Sequence, residues 1–109
     1  MNILYVASEA APFIKTGGLA DVAGSLPQEL NKIGDDCRVV IPLYETISEE
    51  YRKDMKQIAY FYVDLGWKHE YCGVYEYRLN NTIFYFLDNE FYFKRFKISK
   101  LCPAPPKVQ

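Results

Sequence analysis

The chain has 109 residues, half of them hydrophobic and a quarter charged, with a formal net charge of −1. That length holds one small domain or part of a larger one, and the charge balance lacks the basic face of a nucleic-acid binder. No apolar run approaches the roughly 20 residues that a membrane-spanning helix needs, so neither nucleic acid nor membrane is an expected partner.

In chain order, Asn2 to Ala7 is a short continuous apolar run and reads as a strand covered on both faces. The opening residues lack the basic start of a signal peptide, which makes the cytoplasm the expected compartment. Ser8 to Thr16 contains Pro12, runs into Gly17-Gly18 and reads as a loop. From there Leu19, Val22, Ala23, Leu26, Leu30 and Ile33 fall on one stripe of a helix. Pro27 predicts a kink in that helix, or a restart with Ser25 as its cap. Gly34 suits the C-terminal end. Arg38 to Ile41, bounded by Pro42, reads as a second strand. Strand, glycine loop, helix and strand together make a βαβ unit with a right-handed crossover. "TISEEYRKDM" allows one or two further helical turns.

After Lys56 the chain becomes aromatic. "IAYFYVDL", "EYCGVYEYRL" and "NTIFYFLD" read as three strands, rich in aromatic and β-branched residues. Asn80-Asn81 is the expected hairpin turn between the last two, because asparagine tolerates positive φ. The aromatics suggest a sugar-stacking platform, although core and cross-strand packing is the commoner role for such residues. The proline-rich end, "FKISKLCPAPPKVQ", reads as an extended or disordered tail.

Cys37, Cys72 and Cys102 are odd in number and show no C-x-x-C spacing, so buried free thiols are expected rather than disulfides or zinc ligands. His69 stands alone and reads as a surface or turn residue. No metal and no cofactor are expected.

The stretch that carries chemistry is "FIKTGGLADVAGSLP". The loop after the first strand of an α/β unit lies at the carboxyl end of the sheet, where ligands collect. The helix that follows begins with unpaired N–H groups and the positive end of its dipole, a ready site for phosphate. Gly17 and Gly18 remove Cβ atoms and let a ligand approach the backbone. Lys15 adds a full positive charge, which the dipole would repel unless an anion sat beside it. The bland alternative is a flexible glycine loop with a solvated lysine. The order of residues is neither a Walker A loop nor G-x-G-x-x-G. Asp21, in the first turn, suits the helix dipole as well as a ligand, and Glu9 reads equally as a loop residue without contacts.

"ASEAAPFIKTGGLADVAGSLPQEL" resembles the N-terminal signature of bacterial glycogen synthases and plant starch synthases. The similarity continues through "CRVVIPLY" to "IFYFLDNEFYFKR", over about the first 95 residues. The resemblance implies an α/β fold in which residues 1–95 are part of the N-terminal Rossmann-like domain of a two-domain (GT-B type) glycosyltransferase. It implies transfer of glucose from ADP-glucose to the non-reducing end of an α-1,4-glucan such as glycogen, with retention and without a metal. By the same resemblance Lys15 contacts the sugar nucleotide, Gly17 and Gly18 pack against its distal phosphate and sugar, and Asp21 lies near the glucose. No catalytic residue is expected in this chain, because family members run several times longer and carry the remaining contacts in a second domain. Residues 96–109 do not align with the family pattern, and a gene truncated or frame-shifted near Arg95 is the expectation. A sheet with one good helix and one weak one should also leave apolar surface open to self-association. A glucan-binding fragment without catalysis and an interaction protein are the competing readings.

Overall fold

The computed structural model describes residues 1–64 and 66–89. The expectation for the tail at 96–109, and Cys102 with it, lies outside the described residues. Five strands form one mixed sheet: β1 (Asn2–Val6), β2 (Asp36–Pro42), β3 (Lys56–Asp64), β4 (His69–Leu79) and β5 (Thr82–Asp88). Their spatial order is β1-β2-β5-β4-β3, so the second half of the chain inserts its last strand beside β2 and ends its sheet on β3. β1, β2 and β5 run parallel, and β4 and β3 complete the sheet antiparallel. The expected βαβ unit is present, with helix α1 (Gly18–Lys32) between two paired parallel strands. All three aromatic runs are strands. The β4–β5 turn falls where asparagine permits it, with Asn80 at φ 57°.

One face of the sheet is the core. Cys37, Val39, Ile41, Phe84 and Phe86 alternate inward there and are almost fully buried. Phe13, from the loop after β1, sits over them with its ring edge-on to Phe84, Phe86, Tyr77 and Tyr51 at centroid distances of 4.8 to 5.6 Å. Tyr51 belongs to the short helix α2 (Glu49–Arg52), which begins at the cap made by Ser48 Oγ accepting from the Glu50 amide. The loop Ser8 to Thr16 is therefore more than a connection. Ala10, Phe13 and Ile14 are buried within it, and it contains a cis Ala11–Pro12 bond.

Three sequence expectations are corrected. β1 is covered on one face only: Leu4 and Val6 are 61% and 72% exposed, because both helices lie on the other side of the sheet. Of the expected stripe Ala23 is buried and Leu30 half-buried, joined by Ala20 and Pro27, whereas Leu19, Val22, Leu26 and Ile33 face outward. Small residues win this face because the loop comes so close. A Cβ on Gly24 would stand 2.5 Å from the Ala11 carbonyl oxygen. Finally, of the kink or restart expected at Pro27 the restart is overturned: α1 runs through Pro27 as one helix, and Ser25 is no cap; its hydroxyl donates back to the Asp21 carbonyl at 2.8 Å.

The far end of α1 is tied to the hairpin. Asn31 Nδ2 donates to the carbonyls of Cys37 and Asn81, its Oδ1 accepts from the Cys37 amide, and Asn81 Nδ2 reaches the Gln28 carbonyl.

Candidate functional site at the start of the first helix

The loop after β1 and the first turn of α1 bring Lys15, Gly17, Gly18 and Asp21 to one place. Gly17 is the N-cap of α1 with extended backbone (φ −172°), and no side chain caps the helix there. Among the described residues the two glycines are not required by backbone strain or by packing, since a Cβ on either would meet none of them within 4 Å. What they leave is an open step with the bare first turn of a helix as its floor, which is the geometry an oxyanion needs. The residues with positive φ lie elsewhere, at Gly34 and Gly66 among the glycines.

Lys15 and Asp21 are closer than the sequence argument supposed. Lys15 Nζ lies 3.0 Å from Asp21 Oδ2, so the cation at the helix threshold already has an internal counter-ion. Both side chains remain more than half exposed, and an ion pair in such a setting contributes at most about 1 kcal/mol. A ligand phosphate could displace it with little loss.

Glu9 was underestimated. It is 8% exposed, and its Oε1 accepts from both the amide (2.9 Å) and the hydroxyl of Thr16. This carboxylate fixes the chain next to Lys15 and Gly17 from below. Its charge also opposes ionisation of the buried Tyr44 phenol, whose pKa is raised chiefly by burial and then by Glu9. The signal in the sequence was an acid set among small and apolar residues in "ASEAAPF", where a solvated carboxylate is unexpected.

Among the described residues the site is an open surface step. A concavity of about 450 Å³ lies further along the carboxyl edge, lined by Leu43, Glu45, Arg52, Met55, Tyr75 and Asp88, and none of the four candidate residues reaches it. Among the described residues no cluster of three or more His, Cys, Asp or Glu could hold a metal. His69 is exposed at the start of β4. Cys37 is buried, Cys72 partly so, and burial raises the pKa of both thiols.

A parallel βαβ unit with a bare helix start beside its first strand defines a Rossmann-like α/β protein. A family model described as starch synthase catalytic domain matches residues 2–100; the chain belongs to this glycosyltransferase family. It is 56% identical over 95 residues to a glycogen synthase of Geobacillus thermodenitrificans and 61% identical over 95 residues to one of Finegoldia magna. In both cases the match covers 87% of this chain and 20% of the relative, so the chain spans about one fifth of the curated relatives' length. The fold resembles the catalytic domain of Starch Synthase IV from Arabidopsis thaliana bound to ADP and acarbose. That likeness has a TM-score of 0.76 at 20% identity, over 86% of this chain and 20% of that one. It accords with a part of the N-terminal Rossmann-like domain of a GT-B glycosyltransferase.

Proposed function

We propose that the chain supplies one wall of the nucleotide-sugar site of a glycogen synthase. In this reading residues 1–95 are the family portion, and the complete enzyme transfers glucose from ADP-glucose to the non-reducing end of an α-1,4-glucan, with retention, in the cytoplasm. Lys15 exchanges Asp21 for the diphosphate of ADP-glucose, and the amides at Gly17 and Gly18 receive the distal phosphate. Asp21, once released, is free to face the glucose hydroxyls. Positive charge and oriented amides at this point offset the charge that grows on the departing ADP. The observation that carries the reading is the uncapped, unobstructed start of α1 with a lysine poised over it.

The isolated chain holds one wall only, so incubation with ADP-glucose and glycogen should release no ADP. Sustained release would refute the one-wall assignment. In a full-length relative carrying the same motif, Lys15→Ala should lower kcat/KM by about a hundredfold, the loss of a charge-assisted contact of about 3 kcal/mol. Unchanged kinetics would remove Lys15 from the mechanism. The uncovered sheet face disposes the isolated chain to self-association, which concentration-dependent elution in size-exclusion chromatography checks.

A further inference from the structure

The β3–β4 hairpin carries a second feature that the nucleotide-sugar site does not use. Gly73 on β4 pairs with Asp88, the last residue of β5. Residues 69–72 and their partners 61–64 therefore project past the ends of the parallel strands, on the same edge of the sheet as the Lys15 loop. At the base of this projection Tyr60, Tyr62 and Tyr71 cluster. Tyr60 and Tyr71 lie roughly parallel at 6.3 Å, while Tyr62 stands edge-on to both, at 6.4 Å from Tyr60 and 5.9 Å from Tyr71.

Two details show a shaped surface rather than a stray apolar patch. Tyr71 lies over Gly73, where a Cβ would come within 2.6 Å of its hydroxyl oxygen, and that oxygen accepts from Gln57 Nε2 at 2.9 Å. One ring is thus held in place. Tyr60 and Tyr62 stay 65% and 61% exposed. Edge-on and parallel rings together make an angled trough in which ring faces alternate with hydroxyl groups. By strand alternation Tyr71, Gly73 and Tyr75 share a face, so the trough continues towards the concavity lined by Tyr75, Asp88, Glu45 and Arg52.

We propose that Tyr60, Tyr62 and Tyr71 form a stacking platform for an α-glucan chain, and this rests on the glucan-acceptor reading above. A pyranose ring has an apolar C–H face and a rim of hydroxyls, which matches alternating ring faces and phenolic oxygens. The ligand is uncharged, and the group bonded to the Tyr71 hydroxyl is the neutral amide of Gln57, while the next pair on the same face, Asp64 and His69, offers polar groups to sugar hydroxyls. The platform sits at the β3 edge and the Lys15 loop at the β1 edge, four inter-strand gaps apart, on the order of 20 Å. A single oligosaccharide reaches across that span. The platform would hold the body of an acceptor chain whose end is extended at the nucleotide-sugar site.

The experiment is an NMR titration of the whole 109-residue chain with maltoheptaose and, separately, with ADP. Maltoheptaose should shift the ring protons of Tyr60, Tyr62 and Tyr71 saturably. The double variant Tyr60→Ser/Tyr62→Ser should lose about tenfold in maltoheptaose affinity, from two lost ring contacts of about 0.7 kcal/mol each, and keep its ADP response. Tyr60→Phe/Tyr62→Phe should retain most of the affinity, and Phe61→Ser, on the opposite face of β3, controls for the fold. Lys15→Ala should do the reverse, losing ADP and keeping maltoheptaose. Failure of the ADP arm alone would sink the nucleotide reading and leave the platform standing. No saturable shift in the unmodified chain, or equal affinity in the serine variant, would overturn the platform. So would a serine variant that converts dimer to monomer in size-exclusion chromatography without changing the titration, since the rings would then serve a second copy of the chain.

Discussion

The loop that follows β1 and the hairpin of β3 and β4 flank the same sheet, yet they are built on opposite terms. In the loop, Phe13, Ala10 and Ile14 are buried and Glu9 fixes Thr16 from within. The helix start at Gly17 and Gly18 is left open, with Lys15 exposed beside it. In the hairpin every residue of β3 is exposed, and order comes from backbone pairing and ring-to-ring contact at the surface. The comparison teaches that exposure has two meanings in this molecule. At the loop a rigid frame presents a few bare backbone groups. At the hairpin a sheet edge presents large side chains whose apolar area is not spent on folding.

The largest test of this contrast compares two phenylalanines. Phe13→Ala removes the ring at the centre of four aromatic contacts and should cost about 3 to 5 kcal/mol, much of the stability of a small domain. Phe61→Ala, on a strand that is exposed throughout, should stay within about 1 kcal/mol. Urea unfolding of both variants measures the difference. Equal losses would mean that the hairpin is as integral to the fold as the loop.

Two glycines sharpen the same point. Gly24→Ala drives a Cβ against the Ala11 carbonyl and should destabilise by about 1 to 3 kcal/mol. Gly18→Ala meets open space and should change stability by less than about 1 kcal/mol, while weakening ADP binding measured by the same titration. A glycine pair that proved necessary for stability would undo the assignment of that open step to a ligand.

Glu9→Ala leaves the Thr16 amide without its acceptor and should cost about 1 to 3 kcal/mol. Thermal unfolding, together with hydrogen exchange at Thr16, reads it. The smallest effect concerns the thiols. Burial raises the pKa of Cys37 and Cys72, so the folded state keeps protons that the unfolded chain releases at alkaline pH. Their contribution to stability is present below the ordinary thiol pKa of about 8.5 and is lost as pH rises through the folded-state values. Iodoacetamide should therefore label Cys37 slowly at pH 8 in the native chain and rapidly in urea.

The strands were legible in the sequence because aromatic and β-branched residues recur in runs bounded by turn residues, and Asn80-Asn81 punctuates the last pair. The helix was legible in extent and misleading in orientation. Hydrophobicity favoured Leu19, Val22 and Leu26 for the buried face, but the close approach of Ala11 to Gly24 admits only small residues, so Ala20 and Ala23 take it. The restart expected as one outcome at Pro27 does not occur, and that residue is buried within one continuous element. The loop core around Phe13 had no periodicity to betray it, because its burial depends on Phe84 and Phe86, far along the chain. At the site, the grouping of Lys15, Gly17, Gly18 and Asp21 followed from their spacing around a helix start. The pairing of Lys15 with Asp21 and the role of Glu9 depended on side-chain directions that spacing does not give.

The tether between Asn31 and the turn at Asn81 has a consequence for how the molecule is made. β2 finds its second neighbour only in β5, and the end of α1, already bonded to Cys37, gains its ties to the hairpin at residues 81 and 82. A nascent chain emerging at about 5 to 20 residues per second must therefore carry one edge of β2 unpaired for several seconds before β5 leaves the ribosome. The first half of this sequence waits for Phe84 and Phe86 to complete its core, and a chaperone that shelters an open strand edge would meet it during that interval.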